Sequence, residues 1–154
     1  MMKPTQEPLG ITLAAAARET GRAFDAALQS AGGSRPVWLV LMALKQHATA
    51  NQREIAQKVG IQGATLTHHL DAMESSGLLT RRRDPHNRRV HIVELTEAGH
   101  ALFFQLLGTV TAFDKRLRDG LDESDIATLR RLLAILRHNV GSSAESAKEP
   151  ARND

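Results

Sequence analysis

Residues 60–100 read GIQGATLTHHLDAMESSGLLTRRRDPHNRRVHIVELTEAGH, and they contain the clearest structural pattern of the chain. Up to Gly77 it has the spacing of an amphipathic helix, in which Leu66, Leu70 and Met73 share one face. Glycine at position 77 is suited to the left-handed conformation that often ends a helix. The pattern therefore predicts one helix with a buried face and an exposed face.

A shorter helix precedes this one. Asn51 is a suitable N-cap for a segment that contains Ile55, and Gly60 is placed to end it. A short helix, a tight turn and a helix of about 13 residues are the parts of a helix-turn-helix. The second helix would then be the recognition helix.

After Gly77 the pattern changes. The segments LLTRRR (78–83) and RRVHIVEL (88–95) are rich in residues typical of strands, and DPHN (84–87) between them contains turn formers. This pattern predicts a β-hairpin with its arginines at the tip and flanks. Residues 81–91 carry five arginines and one aspartate, a local positive charge that favours an anionic partner, most often nucleic acid.

Apolar-striped helices are predicted on both sides. The first covers 9–31, and a second, buried helix begins after the N-cap Ser34 and runs to about His47. Thr96 is suited to cap a long helix over 97–118, and a last helix is predicted over 122–140. The expected fold is mainly α with a small β-hairpin wing. It is a single domain over 9–140, with the winged helix-turn-helix at about 34–96 and disordered ends at 1–8 and 141–154.

Composition narrows the class of protein. The chain has 154 residues, a formal net charge of +3 and no cysteine, which excludes disulfides, thiol nucleophiles and cysteine-based metal sites. The longest apolar run, Val37–Leu44, is too short to span a membrane, and the N-terminus lacks the apolar stretch of a signal peptide. We therefore expect a cytoplasmic protein. The seven histidines have no metal-ligand spacing, so neither a metal nor another cofactor is expected.

The combined pattern closely resembles the MarR family of bacterial transcription regulators. The helix motif of the family, G-x4-T-x-T-x2-L-D-x-(L/M)-E-x2-G-L, matches Gly60, Thr65, Thr67, Leu70, Asp71, Met73, Glu74, Gly77 and Leu78. The wing motif, R-x-D-P-x-D-R-R followed by L-T-x-x-G, matches Arg82, Asp84, Pro85, Arg88, Arg89, Leu95, Thr96 and Gly99. This chain has Asn87 where the family has an acidic residue that is thought to orient the wing arginine, so charge assistance is lost at that position.

The helical wheel and the resemblance together suggest DNA contacts. The exposed N-terminal part of the recognition helix would reach base edges in the major groove, and Arg89, with Arg88, would enter the minor groove. Arg81, Arg82 and Arg83 suit either phosphates or salt bridges in the stem of the wing. The candidate DNA-binding residues are Gln62, Gly63, Ala64, Thr65, Thr67, His68, Arg81, Arg83, Arg88 and Arg89. The alternative is that Thr65 is a cap, His68 a solvated side chain and each arginine part of a surface ion pair.

The flanking helices have more apolar surface than one small lobe can bury, which favours a homodimer over an intramolecular bundle. Candidate interface residues are Ile11, Leu106, Val110, Leu129, Leu132, Leu133, Leu136 and Val140. The resemblance also implies a site for a small aromatic anion, for which the candidate residues are Arg18, Arg22, Trp38, Met42 and His69. Arg18 and Arg22 lie four residues apart, which suits a carboxylate, although they can equally be surface charges.

The sequence thus predicts a dimeric, sequence-specific DNA-binding transcription regulator, expected to be a repressor of a pseudo-palindromic operator and open to release by a small ligand. The alternative is a winged-helix module that binds protein and has no specific DNA site. An enzyme is not expected, because the chain has no Ser-His-Asp context, no glycine-rich phosphate loop and no carboxylate pair in an apolar setting.

Overall fold

The computed structural model describes residues 6–48 and 50–146. The helices are α1 Leu9–Ser30, α2 Arg35–Gln46, α3 Gln52–Val59, α4 Gly63–Ser75, α5 Glu97–Leu117 and α6 Glu123–Ser146. The strands are β1 Ala50–Asn51, β2 Leu79–Arg83 and β3 His91–Leu95. The predicted class, mainly α with a β-hairpin wing, is confirmed. None of the described helices combines the length and the hydropathy that a membrane span needs.

The predicted hairpin is the β2–β3 pair, and a third strand joins it. The antiparallel sheet has the order β1-β3-β2, with Arg81 opposite Val93 and Arg83 opposite His91. Strand β1, which was not predicted, pairs through Ala50 with Val93. The wing is therefore fastened to the chain just before α3, on the side away from β2.

The caps predicted for α2 and α3 are confirmed. Ser34 Oγ accepts a hydrogen bond from the Val37 N–H at 3.4 Å. Asn51 Oδ1 accepts from the Glu54 N–H, and the Glu54 carboxylate accepts from the Asn51 N–H, each at 2.9 Å. Such a reciprocal pair satisfies two N–H groups that the first turn of a helix leaves without partners.

The described residues fall into two compact units, divided between Phe113 and Asp114 within α5. The first unit holds a core of buried side chains from α1 to α5 and the sheet. Its largest fully buried members are Leu28, Val40, Leu41, Leu44, Ile55, Leu66, Leu70, Leu79, Val93 and Leu106. Leu106 is therefore an internal residue of this unit, and its prediction as an interface residue is wrong.

The second unit is dominated by α6. The helix begins with a capping box, in which the Asp125 N–H donates to Asp122 Oδ1 at 2.8 Å and the Asp122 N–H donates to Asp125 Oδ2 at 3.0 Å. The helix was predicted to end near residue 140, yet it continues through Ser146. Gly141 does not adopt a positive φ, so the helix passes through it. The rest of the predicted tail, 147–154, lies outside the described residues, as do 1–5 of the predicted disordered start.

Large apolar side chains remain exposed in both units. In the first unit they are Leu9, Ile11, Leu13, Phe104 and Leu107, and in the second they are Leu117, Leu121, Leu129, Leu132, Ile135 and Val140. Isolated exposed apolar residues are ordinary, but a series of them along a helix is typical of a surface that another chain covers.

Candidate nucleic-acid interface

Helix α4 has the two faces that the sequence predicts. Leu66, Leu70 and Met73 are buried at 0%, 0% and 2% exposure, which fixes the rotation of the helix against the core. The opposite side of the first two turns is exposed, and the exposed candidates are Gln62, Gly63, Ala64, Thr65 and His68. The residue at the N-cap position is Gln62, so Thr65 is an internal helix residue and not the cap.

Thr67 has a role inside the lobe. Its side chain is half-buried, and its Oγ1 accepts a hydrogen bond from Gln52 Nε2 at 2.6 Å. The hydroxyl donates its one proton to the Gly63 carbonyl at 2.9 Å. It therefore cannot also donate to a base while this bond persists, and it links the start of α3 to the start of α4.

Arg81 is held in the stem of the wing by two carboxylates of α4. Its side chain is 18% exposed, and its Nη2 donates to Asp71 Oδ1 and, at 3.0 Å, to Glu74 Oε1. The Arg81 N–H also donates to Glu74 Oε2 at 3.0 Å. The hydrogen bond from Arg81 holds the pKa of Glu74 below its usual range, and the same bond raises the pKa of Arg81. The sequence left a phosphate contact and a salt bridge open for Arg81, and the structure shows the salt bridge.

Arg82 is also paired within the sheet. Its Nη2 donates to Glu94 Oε1 at 3.0 Å, from β2 to β3. Both side chains are substantially exposed, so this pair contributes little stability. It nevertheless neutralises one of the positive charges of the hairpin.

The tip of the wing, residues 84–90, is closed without using a guanidinium. Asp84 Oδ1 accepts from the His86 N–H at 2.8 Å, and Asn87 Oδ1 accepts from the Arg89 N–H at 3.2 Å. The Val90 N–H donates to the Asn87 carbonyl, and the Asp84 N–H donates to the Val90 carbonyl, each at 2.9 Å. Asn87 thus fixes the backbone of Arg89. Its side-chain oxygen orients this arginine through the peptide group.

Three guanidinium groups of the wing are free. Arg83, Arg88 and Arg89 are exposed, and within 6–48 and 50–146 no carboxylate forms an ion pair with any of them. They lie on the same hairpin, whose strand β2 is joined to α4 through Arg81. The arrangement offers an exposed helix face and a group of unpaired cations, which is suited to a groove and the phosphates that border it.

The base of the wing is joined closely to α5. The Thr96 hydroxyl donates to the Gly77 carbonyl and accepts from the Gly99 N–H at 3.1 Å, which confirms Thr96 as the predicted cap. The Thr96 N–H donates to the Leu78 carbonyl at 3.1 Å. A Cβ at Gly99 would overlap the Leu78 carbonyl oxygen, so glycine allows this close approach.

The candidate ligand residues have different environments. Trp38 is buried at 6% exposure and stacks on Phe103, with ring centroids 5.4 Å apart. Met42 and His69 are half-buried, whereas Arg18 and Arg22 are exposed on α1. Trp38 is therefore a core residue, and none of these five side chains lines the groove at the start of α2, the groove beside α3 or the two grooves between α3 and the wing. The described part of the chain also contains no cluster of side chains able to hold a metal ion.

Sequence reasoning missed a groove between α3 and the wing. The groove has a volume of about 520 Å³ and is lined by Asn51, Gln52, Arg53, Asn87, Arg89, Val90 and His91. The sequence does not indicate Arg53, because nothing in a single sequence shows that the start of α3 faces the returning strand of the hairpin. The sequence feature that could have indicated Arg53 is its position, which is one residue inside the helix that precedes the recognition helix.

Comparisons with known proteins agree with this geometry. A family model described as MarR family matches residues 34–91. The uncharacterized HTH-type transcriptional regulator YdgJ of Bacillus subtilis (strain 168) is 30% identical over 105 residues, which are 68% of this chain and 64% of that relative. The chain thus matches slightly less than two thirds of the length of YdgJ.

Two solved structures are similar over most of the chain. The transcriptional repressor CouR, bound to a 23-mer DNA duplex, is 29% identical with a TM-score of 0.79, covering 88% of this chain and 98% of that one. A mutant of MarR from E. coli, complexed with operator DNA, is 25% identical with a TM-score of 0.77, covering 84% and 93%.

Proposed function

Because this chain belongs to the MarR family, we propose that it is a dimeric winged-helix transcription regulator that binds double-stranded DNA. The family resemblance predicted from the motifs is thereby confirmed. The relatives named above are regulators, in agreement with the expectation that the chain is not an enzyme.

One observation carries the proposal. The exposed face of α4 lies on the same lobe as three unpaired guanidinium groups of the wing, whereas Arg81 and Arg82 are neutralised by carboxylates. A helix in the major groove and an arginine in the adjacent minor groove need this combination. The first two turns of α4 would provide the base contacts, through the methyl groups of Ala64 and Thr65 and the imidazole of His68.

The dimer rests on the exposed apolar residues of both units and on the symmetry of DNA. Two-fold dimers read two half-sites about 10 base pairs apart, centre to centre, so each chain supplies one recognition helix. A second copy would cover apolar side chains such as Ile11, Leu129 and Val140, which are 53%, 48% and 73% exposed. Sedimentation at micromolar concentration is expected to give twice the mass of one chain, and a mass of one chain would contradict the dimer.

Fluorescence anisotropy tests DNA binding directly. The probe is a labelled duplex from the region that flanks the coding sequence, and the control is a scrambled duplex of equal length. We expect preference for the first by about a thousandfold at physiological salt, and affinity that falls steeply as salt rises. Equal affinity for both duplexes would contradict a sequence-specific regulator and would favour the protein-binding alternative.

We further propose that the chain represses transcription, which CouR supports as a repressor that is 29% identical. Release by a small aromatic anion is proposed through Arg18 and Arg22, which are exposed one turn apart on α1. Trp38 is the single tryptophan of the chain, so its fluorescence gives a local signal. We expect benzoate to change this signal and to lower DNA affinity, and the Arg18→Ala/Arg22→Ala variant to lose both responses.

A further inference from the structure

The groove between α3 and the wing is positively charged on both sides. Arg53 lines it from α3, and Arg89 and His91 line it from the wing, whereas no carboxylate is among its lining residues. A second groove shares Asn51 and Val90 with the first and is lined by Glu54 and Asp84. The positive side chains therefore line one groove and the carboxylates line the other, with Asn51 and Val90 shared between them. An anion is attracted only to the first groove.

The neighbours of Arg53 are engaged and Arg53 is not. Glu54 is held by the Asn51 N–H at 2.9 Å, and Gln52 donates to Thr67 at 2.6 Å. Arg53 is exposed, and across the described ranges no carboxylate pairs with it. Its guanidinium is thus available to an external ligand.

The backbone of Arg89 is positioned toward the same groove. Asn87 Oδ1 accepts from the Arg89 N–H at 3.2 Å, and both residues line the groove. Arg88, the adjacent arginine of the tip, is exposed and is not among the lining residues. The two tip arginines therefore have different surroundings, since Arg89 lines the groove and Arg88 does not.

We propose that this groove holds one backbone phosphate of the duplex between Arg53 and Arg89, and that Arg88 is the arginine that enters the minor groove. The proposal rests on the proposed function, since a phosphodiester reaches this groove only when α4 lies on DNA. In a helix-turn-helix the first helix crosses the backbone, which brings the start of α3 to the phosphates. Guanidinium groups bind phosphate oxygens in pairs, and two of them on opposite walls define one site.

Arg53→Gln tests the groove, and Lys58→Gln on the same helix is the matched control, because it removes one positive charge at a residue that does not line this groove. Loss of a phosphate contact is expected to weaken binding about tenfold and to reduce the salt slope by about 1, on flanking and scrambled duplexes alike. Lys58→Gln is expected to stay within about twofold of wild type. Equal behaviour of the two variants, with equal thermal unfolding, would overturn the proposal.

The phosphate itself is located with duplexes that carry one neutral methylphosphonate at successive positions. We expect one position per half-site at which wild type loses affinity and Arg53→Gln does not, and Arg89→Gln is expected to be insensitive at the same position. If no position distinguishes the variants from wild type, the groove does not hold a phosphate. Arg88→Gln is expected to lose affinity at that position as wild type does. If it does not, Arg88 contacts the same phosphate, and the assignment of Arg89 to the phosphate and Arg88 to the minor groove is wrong.

Inorganic phosphate separates the duplex from a free anion as the source of the ligand. We expect the Arg53 Nε–Hε resonance to shift on addition of duplex and to remain in place in millimolar inorganic phosphate at equal ionic strength. A shift with inorganic phosphate alone would overturn the assignment to DNA. The salt slope and the Arg53 Nε–Hε shift can also be measured with the scrambled duplex, so a failure of sequence specificity is distinguishable from a failure of the groove.

Discussion

The stem and the tip of the wing are built from the same amino acid and differ in its surroundings. In the stem, Arg81 is 18% exposed and is bound by two carboxylates of α4. At the tip, Arg88 and Arg89 are exposed, and the turn is closed by backbone groups and by Asp84 and Asn87. A run of arginines in a sequence is therefore not a uniform charged surface, and the nearby carboxylates decide which residues remain available to a ligand.

The difference also separates stability from binding. Loss of a stem residue leaves carboxylates or backbone groups without partners, which costs folding free energy. Loss of a tip residue removes a group that has no partner in the described chain, so the fold is expected to remain. Variants of the two regions should therefore affect different measurements.

The largest effect is expected at the base of the stem. In Gly99→Ala the new Cβ overlaps the Leu78 carbonyl oxygen, a backbone atom that cannot move without displacing the end of α4. We expect the free energy of unfolding to fall by about 3 kcal/mol, measured by urea denaturation. Gly108→Ala, in the same helix with open space at its Cβ, is the control and should stabilise the protein by about 0.5–1 kcal/mol. Equal stability of the two variants would contradict the close approach at Gly99.

The next effect is expected at the tip and in a different measurement. Arg88→Ala/Arg89→Ala removes two unpaired cations, and we expect DNA affinity to fall about a hundredfold, with the salt slope reduced by about 2. The melting temperature should remain that of wild type. Arg82→Ala, whose partner is Glu94, is the control and should change affinity much less. Unchanged DNA affinity in the double variant would show that the tip does not contact the duplex.

A smaller effect is expected for Arg81→Met, which keeps the length of the side chain and removes its bonds to α4. The partners are substantially exposed, so we expect a loss of only about 1 kcal/mol in the free energy of unfolding. The coupling energy with Asp71→Asn, from a double-mutant cycle, should account for part of this loss. Additive effects of the two substitutions would argue against a direct interaction.

The smallest effect is a dependence on pH. The bond from Arg81 lowers the pKa of Glu74 from its ordinary value of 4.5, so the pair stabilises the native state above that value. This stability is lost as the pH falls below 4.5 and through the folded pKa of Glu74. Glu74→Gln should therefore reduce stability at pH 7 and decline less than wild type between pH 5 and pH 3, by urea denaturation at each pH. Parallel pH profiles would contradict this linkage.

Much of the lobe was predictable because its signals are local. The caps at Ser34, Asn51 and Thr96 are set by residues within three positions, and each is confirmed. The buried face of α4 follows from its helical spacing alone. The existence of the hairpin and the range of its first strand also followed from strand-type residues before a turn. The second strand was predicted to begin at Arg88 and begins at His91, because the hydrogen bond from the Val90 N–H to the Asn87 carbonyl extends the turn.

What could not be predicted depends on contacts between residues far apart in sequence. Strand β1 has two residues and exists only because Ala50 meets Val93, so no local pattern indicates it. The partners of Arg81 lie ten and seven residues earlier, at Asp71 and Glu74, and the place of Arg53 in a groove depends on the return of the hairpin. The sequence also does not show that the Thr67 hydroxyl accepts a hydrogen bond from Gln52.

The recognition helix and α5 meet at one piece of backbone. The carbonyls of Gly77 and Leu78, which follow α4, accept hydrogen bonds from the hydroxyl and the N–H of Thr96. Gly99 brings the first turn of α5 against the same Leu78 carbonyl. Neither helix can turn about its axis in this lobe unless these bonds break or the other helix follows. A spin label on an exposed residue of the first turns of α5 would therefore report the orientation of the recognition helix while leaving the DNA-facing side chains untouched.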